Sequence, residues 1–306
     1  MPKELNLPRF EDIKVSTKTF TANTNVTIDI HKLFDTIETT HYVVLPKKRG
    51  RKKKGEVKAE NQNVPYGSII TLKCEGRLKG VELKPKKPNK DGTVRKTWFR
   101  NSITIVVMLS KLVNFKVCRN GTFQMTGCTE ESHPYECIKK IWSIMKQDPS
   151  IYSFTRNEGN FEAILIPSMR NIDFDLGFNV DRDKLSTYMN NETSLHCLLE
   201  TSFGYTGVNI KIPLTKSKNE LEVKKLVYES EDWKCVSSNY EEYLNVLDEK
   251  TRKKKINEKR YNTFLVFHSG KVIFSGITSD FMKDTYYSFT KILENAFDQI
   301  EERLEK

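Results

Sequence analysis

Val117-Cys118-Arg119-Asn120-Gly121-Thr122-Phe123-Gln124-Met125-Thr126-Gly127 returns further along the chain as Val266-Phe267-His268-Ser269-Gly270-Lys271-Val272-Ile273-Phe274-Ser275-Gly276. The central glycines, Gly121 and Gly270, are 149 positions apart, close to half of the 306 residues. Each version predicts a strand, a tight turn through the glycine, and a second strand closing at Gly127 or Gly276. A helix is expected after each. The first begins near Ser132, has Pro134 in its opening turn, and spaces Tyr135, Ile138, Ile141, Trp142 and Met145 helically. The second begins at Ser279-Asp280, read as its N-cap, and carries Phe289, Ile292, Leu293, Phe297, Ile300 and Leu304 on one stripe. Two hairpin-plus-helix units at one offset divide the chain into similar halves, broadly 1–150 and 151–306.

Strand alternation then assigns faces. In the second hairpin Phe264, Val266, Val272 and Phe274 point one way, and Leu265, Phe267, Ile273 and Ser275 the other. Helices cover only one of these faces in a two-layer domain, so the other needs a partner, an insertion or nucleic acid. The matching open face of the first hairpin, Lys116, Cys118, Gln124 and Thr126, is more polar.

The charge is just as uneven. The formal net charge is +11, yet residues 41–100 hold 18 Lys+Arg against 5 Asp+Glu, and the remainder holds 33 against 35. The sharpest part, Pro46 to Lys58, is too charged and too poor in apolar residues to pack, and is expected to be a loop. Such a run neutralises phosphates and confers salt-sensitive, sequence-independent affinity for nucleic acid. Arg49-Gly50-Arg51 within it is similar to the core of an AT-hook, which enters a narrow minor groove, but Lys52 stands where that motif has proline. A nuclear-localisation signal competes with this reading, and a plain solvated charge run is at least as good.

Other classes find little support. At 37% hydrophobic residues the chain can bury a core, but no apolar run approaches the roughly 18 residues of a membrane span. The start lacks a basic-then-apolar leader, so an intracellular, non-secreted protein is expected. The six cysteines (74, 118, 128, 137, 197 and 235) form no CxxC pair and read as reduced, packed thiols. The five histidines show no metal spacing, Gly270-Lys271 is not a phosphate loop, and Asp173, Asp175, Asp181 and Asp183 read as strand-end and helix-start acids. Neither enzyme chemistry, nor a metal, nor a cofactor is expected.

With both hairpins in view, the chain resembles the TATA-binding protein family, whose halves each end in a strand, an SGK turn, a strand closing in TG, and a long helix. His268-Ser269-Gly270-Lys271 through Ser275-Gly276 match closely, and Arg119-Asn120-Gly121 with Met125-Thr126-Gly127 match in the first half. The divergence and insertions are similar to those of the family's homologues in large DNA viruses. The resemblance covers about two thirds of the chain. It implies an α+β fold of pseudo-twofold symmetry: a curved ten-stranded antiparallel saddle, helices on the convex side, and the concave face on the DNA minor groove.

It also implies a set of DNA-binding residues. Phe267 falls on one wedge phenylalanine, and Tyr205, in Tyr205-Thr206-Gly207-Val208, on its partner. Asn171 matches the asparagine that reads acceptors at the centre of the site. Leu265, Ile273 and Ser275 would contact the groove floor beside Lys271 of the turn. In the first half Cys118 replaces the wedge, and counting back the family's spacing reaches Asn101, with Phe99 nearby; another register places Tyr66 there. Lys116, Gln124 and Thr126 complete that face, Arg49 and Arg51 add the basic run, and Thr17 stands where the other central asparagine would be. Asp173 sits where an apolar residue is expected, which implies a register slip or an altered readout. Two insertions are expected: 41–100, between the first helix and the second strand, and 217–260, between the matching strands of the second half. The latter has 11 basic and 10 acidic residues, and its Tyr228, Trp233, Tyr240 and Tyr243 suggest a small helical cap or a partner surface.

The function implied is a transcription-initiation factor that binds and bends A/T-rich promoter DNA, acts as a monomer on double-stranded DNA, and recruits a transcription factor IIB-like protein and RNA polymerase. Its place would be the host nucleus or a cytoplasmic viral factory. The alternative is a saddle-fold interaction module of a transcription complex with only non-specific DNA binding.

Overall fold

A computed structural model describes residues 5–44, 64–83, 99–200 and 207–302. Arg49 and Arg51, with the whole 46–58 run, and Tyr205 lie outside the described residues. The chain forms two compact units. The C-terminal unit comprises Met1–Thr19, Ile166–Lys224 and Ser237–Lys306, and the N-terminal unit Phe20–Leu165 and Lys225–Val236. This differs from a cut at 150, because strands β1 (Val15–Thr24) and β9 (Phe161–Asp175) each run through a unit boundary.

In the N-terminal unit, β1 leads to β2 (Val26–Ile28), α1 (Ile30–Thr36), β3 (Ile69–Cys74), β4 (Arg77–Gly80), β5 (Ser102–Met108), β6 (Leu112–Cys118), β7 (Thr122–Cys128), α2 (Ser132–Met145) and β8 (Tyr152–Phe154). Its sheet order is β1-β7-β6-β5-β3-β4. In the C-terminal unit, β9 leads to α3 (Arg182–Glu192), β10 (His196–Glu200), β11 (Gly207–Pro213), then β14 (Tyr261–Phe267), β15 (Lys271–Gly276) and α6 (Ser279–Ile300). The order there is β9-β15-β14-β11-β10. The repeat therefore extends well beyond the two hairpins. Strand, helix, three strands, strand and helix follow in the same sequence and the same spatial order, with the fitted pairs antiparallel throughout. The α+β class, five repeat strands and two helices to each unit, is as expected.

The second hairpin explains its own core. Phe264, Val266, Val272 and Phe274 are buried beneath Met282, Tyr286, Phe289 and Leu293 of α6. Phe264 lies stacked 4.0 Å from Phe274 and 3.8 Å from Phe289. Asn262, buried among them, donates to the Phe281 carbonyl and to Thr285 Oγ1, both at 2.7 Å, and so pins the first turns of α6 to β14. The cap of α6 is Thr278, with no side-chain bond, rather than Ser279-Asp280, which are already helical. Gly270 sits at φ +77°, where a Cβ would lie 2.2 Å from the Phe178 carbonyl oxygen, so the turn admits only glycine.

Both insertions depart from expectation. Residues 41–100 contain the repeat's second strand, β3, instead of preceding it; the short Ile69-Ile70-Thr71-Leu72 run was masked by the surrounding charge. Residues 217–260 form the hairpin β12 (Glu222–Glu229) and β13 (Asp232–Asn239), then α4 (Tyr240–Asn245) and α5 (Glu249–Asn257). Its aromatics pack within the units. Tyr228 meets Trp142 at 5.8 Å and Trp233 meets Phe161 at 6.0 Å within the N-terminal unit, while Tyr240 and Tyr243 are buried.

The segment before β1 is fastened to α6 by chemistry that titrates. Phe10 packs on Tyr286, whose hydroxyl donates to the Pro8 carbonyl at 2.6 Å. Glu11 takes Lys283 Nζ at 2.6 Å and the Tyr287 hydroxyl at 3.0 Å. Lys283 first, then its own backbone N–H and Tyr287, push the Glu11 carboxyl down to about 2. A depressed carboxyl contributes its stability fully above the unfolded pKa and loses it as pH falls through the folded value. The protection factors of the Phe10 to Ile13 amides are therefore expected to fall between about pH 4.5 and 2 in the wild type. Glu11→Gln should remove that pH dependence; an unchanged profile would show that the contact does not hold the segment.

Candidate nucleic-acid interface

Each unit leaves one sheet face without helices, and the pairing register specifies what that face displays. In the C-terminal unit one row runs Asp173–Ile273–Leu265–Asn209–Leu198, and the next runs Asn171–Ser275–Thr263–Lys211. Five strands at about 4.8 Å spacing make a face roughly 20 Å across. Phe267 stands at the end of β14, half-buried, opposite Gly207. A side chain at Gly207 would press within 2.7 Å of Leu265, so glycine there is what lets Leu265 lie flat beside Phe267. Lys271 is exposed, opposite Asp175.

The sequence-derived residues Phe267, Leu265, Ile273, Ser275, Lys271 and Asn171 thus share one face. Asp173 pairs with Ile273 and is exposed on the same face. Asn171 and Asn209 are half-buried, and each keeps a carboxamide oxygen without a hydrogen-bond partner among the described residues. Those oxygens are acceptors; it is the NH2 of each carboxamide that could donate to an acceptor-only edge such as that of an A·T pair in the minor groove.

On the corresponding face of the N-terminal unit one row runs Lys73–Thr104–Lys116–Gln124, and the next runs Thr71–Val106–Asn114–Thr126, of which Thr71 and Val106 are buried and Asn114 and Thr126 exposed; Cys118 pairs with the buried Ser102. Burial pushes the Cys118 thiol up, only partly offset by Lys116, so it remains a neutral, small group at physiological pH. The exposed Asn101 instead uses its backbone carbonyl to accept the Arg119 N–H at 3.0 Å, closing the β5–β6 ladder. The aromatic on this face is Phe99, 65% exposed, with Lys116 Nζ 3.6 Å above its ring. Tyr66 is 62% exposed, and burial, then the carboxylates of Glu136 on α2 and of Glu130, raise its phenol.

The open face of the C-terminal unit also carries Asn209, Lys211, Thr263 and Tyr261, which the sequence reading did not place there. Tyr261 continues the stripe of Phe267, Leu265 and Thr263, is 40% exposed, and was legible by counting back two residues at a time. One contact deserves separation from catalysis. Ser110 Oγ is 2.8 Å from His133 Nε2, but Glu130 approaches that same nitrogen while Nδ1 faces the Thr129 N–H. A Ser–His–acid relay needs the acid on the other nitrogen. Among the described residues, no three His, Cys, Asp or Glu side chains gather as a metal site, and no helix is long and apolar enough to cross a membrane.

No protein-family model matches the chain. An uncharacterized protein, 335L, of Invertebrate iridescent virus 6 is 28% identical over 217 residues, covering 68% of this chain. The match spans 64% of that relative's length. Among solved structures, Methanococcus jannaschii TBP aligns with a TM-score of 0.42 at 12% identity, over 94% of this chain and 99% of that one.

Proposed function

We propose that this chain is a transcription-initiation factor of the TATA-binding kind that binds A/T-rich double-stranded DNA through the minor groove and bends it, with no catalytic step of its own. The observation that carries this reading is the open face of the C-terminal unit, where Phe267, Leu265 and Ile273 lie beside Asn171, Asn209 and Ser275. An aromatic wedge unstacks a base step at a cost of a few kcal/mol, offset by the larger surface that bent DNA contacts. Guanine's exocyclic amine would crowd an apolar sheet face, which favours A·T pairs. Bound as a monomer, the factor would recruit a IIB-like protein and RNA polymerase, in the host nucleus or a cytoplasmic viral factory.

A second reading, an interaction module with only non-specific DNA affinity, is favoured by the polar face of the N-terminal unit and the exposed Asp173. End-labelled FRET on an A/T-rich and a G/C-rich duplex at two salt concentrations separates the two. A bend confined to A/T-rich DNA supports the first; salt-sensitive binding without bend or preference supports the second.

The basic run tests the division of labour. Lys47, Lys48, Arg49, Arg51, Lys52, Lys53 and Lys54 place seven cations in eight positions. Each phosphate neutralised adds roughly 0.9 to the slope of log affinity against log salt. Replacing all seven with glutamine or serine is expected to flatten the slope while the A/T over G/C ratio holds. A collapsed ratio with an unchanged slope would mean that Arg49-Gly50-Arg51 reads the groove as a hook.

A further inference from the structure

The near-neutral insertion 217–260 hides a division of charge. Its residues 217–249 hold 9 of the 10 acids, while 250–260 hold 7 of the 11 bases beside one acid, Glu258. Most of those bases are on α5. No residue of this helix is buried, so its composition answers to no packing requirement. An exposed nine-residue helix is marginal in water, yet this one is fastened at both ends. Asp248 caps its start by accepting from the Thr251 N–H. Lys218 Nζ closes its end, donating to the carbonyls of Lys255, Ile256 and Glu258 at 2.6, 3.1 and 2.8 Å.

Lys218 is thus a fastener, and the cations left over face outward. Lys250, Arg252 and Lys254 are exposed and have no ion-pair partner among the described residues. Lys253 pairs with Glu249 across open surface, a contact worth little. This basic surface adjoins the open face of the C-terminal unit. Pro213 and Tyr261 line two neighbouring hollows, one shared with Lys216, Lys259 and Arg260, the last paired with Glu258 at 3.3 Å, the other with Asn209 and Lys211 of that face.

We propose that α5 and the adjoining Lys216 and Lys259 form a phosphate-backbone contact for duplex DNA, built from the insertion and continuing the open face past Tyr261. The proposal rests on the minor-groove reading. Duplex DNA is favoured over an acidic protein because α5 offers no apolar centre, which a protein interface would need; Ile256 is its one large apolar residue. A helix about 13 Å long meets several phosphates of a duplex that carries one charge per roughly 1.7 Å.

The test is a salt series of fluorescence anisotropy on the full chain with an A/T-rich duplex, comparing wild type with Arg252→Gln/Lys253→Gln/Lys254→Gln. Because α5 buries nothing, the variant should melt like wild type. A control of equal charge loss, Lys139→Gln/Lys140→Gln/Lys291→Gln, lies on α2 and α6. The α5 variant is expected to lose about 0.9 of salt slope per phosphate contact removed, with bend and A/T preference intact, and the control to lose none. An unchanged slope, or an equal loss in the control, overturns the proposal even where wild type still bends A/T-rich DNA. Slope loss alongside a wild type that neither bends nor prefers A/T-rich DNA supports this contact while the minor-groove reading fails. Slope loss on single-stranded RNA alone, or a wild type that binds no duplex, overturns the contact as stated.

Discussion

Phe267→Ala is expected to remove most of the bend from A/T-rich DNA and to weaken binding about 5- to 150-fold, while Cys118→Ala leaves both close to wild type. The range follows from on the order of 1–3 kcal/mol for an aromatic side chain stacked on a base. Phe267 is half-buried at the end of β14 on the uncovered face, so its removal opens no sealed core cavity and the melting temperature should hardly move. Cys118 ends β6 at the corresponding place in the other repeat, but a neutral thiol cannot wedge a base step. FRET bending on both variants decides the matter. Equal loss from both, or none from either, would end the asymmetry. A residual bend in Phe267→Ala that disappears when Phe99→Ala is added would assign the remainder to Phe99 of the N-terminal unit.

Three residues earlier, Phe264→Ala is expected to do the opposite. This ring is fully buried between Phe274 and Phe289, and truncating such a side chain costs about 3–5 kcal/mol in lost contacts and cavity. Thermal and urea unfolding should show a strongly destabilised C-terminal unit, with DNA binding lost only as that unit unfolds. Conserving the volume with Phe264→Leu should recover most of the loss. If Phe264→Ala melted like wild type, β14 would not have the register described, and the face assigned to Phe267 would fall with it.

This pair shows how far the sequence can be read. Period-2 alternation along β14 and β15 separated Phe264, Val266, Val272 and Phe274 from Leu265, Phe267, Ile273 and Ser275, and the separation holds residue by residue. The pleat enforces it locally, so no distant part of the chain is needed. The same alternation reached Tyr261, had it been followed two steps past Thr263. The second strand of the first repeat was lost for a different reason: β3 is six residues long and sits inside a segment whose average composition is that of a charged loop. Averaging also made 217–260 look neutral, although its acids lie mainly before α5 and its bases on and after it.

What the sequence alone determined is the repeat itself: two hairpins turning at Gly121 and Gly270, a helix after each, and the identity of the face each strand turns inward. Such features depend on neighbours two to four positions away, where the backbone period dictates who points where. Only the tertiary structure decided the rest. It opposed Asp173 to Ile273, set Lys116 over the Phe99 ring, brought Tyr66 near Glu136 of α2, packed the half-buried Trp233 against Phe161, and left α5 bare. Those outcomes belong to pairs of residues far apart in the chain, whose meeting is set by strand pairing and by what remains uncovered once the core has closed. No local period records that.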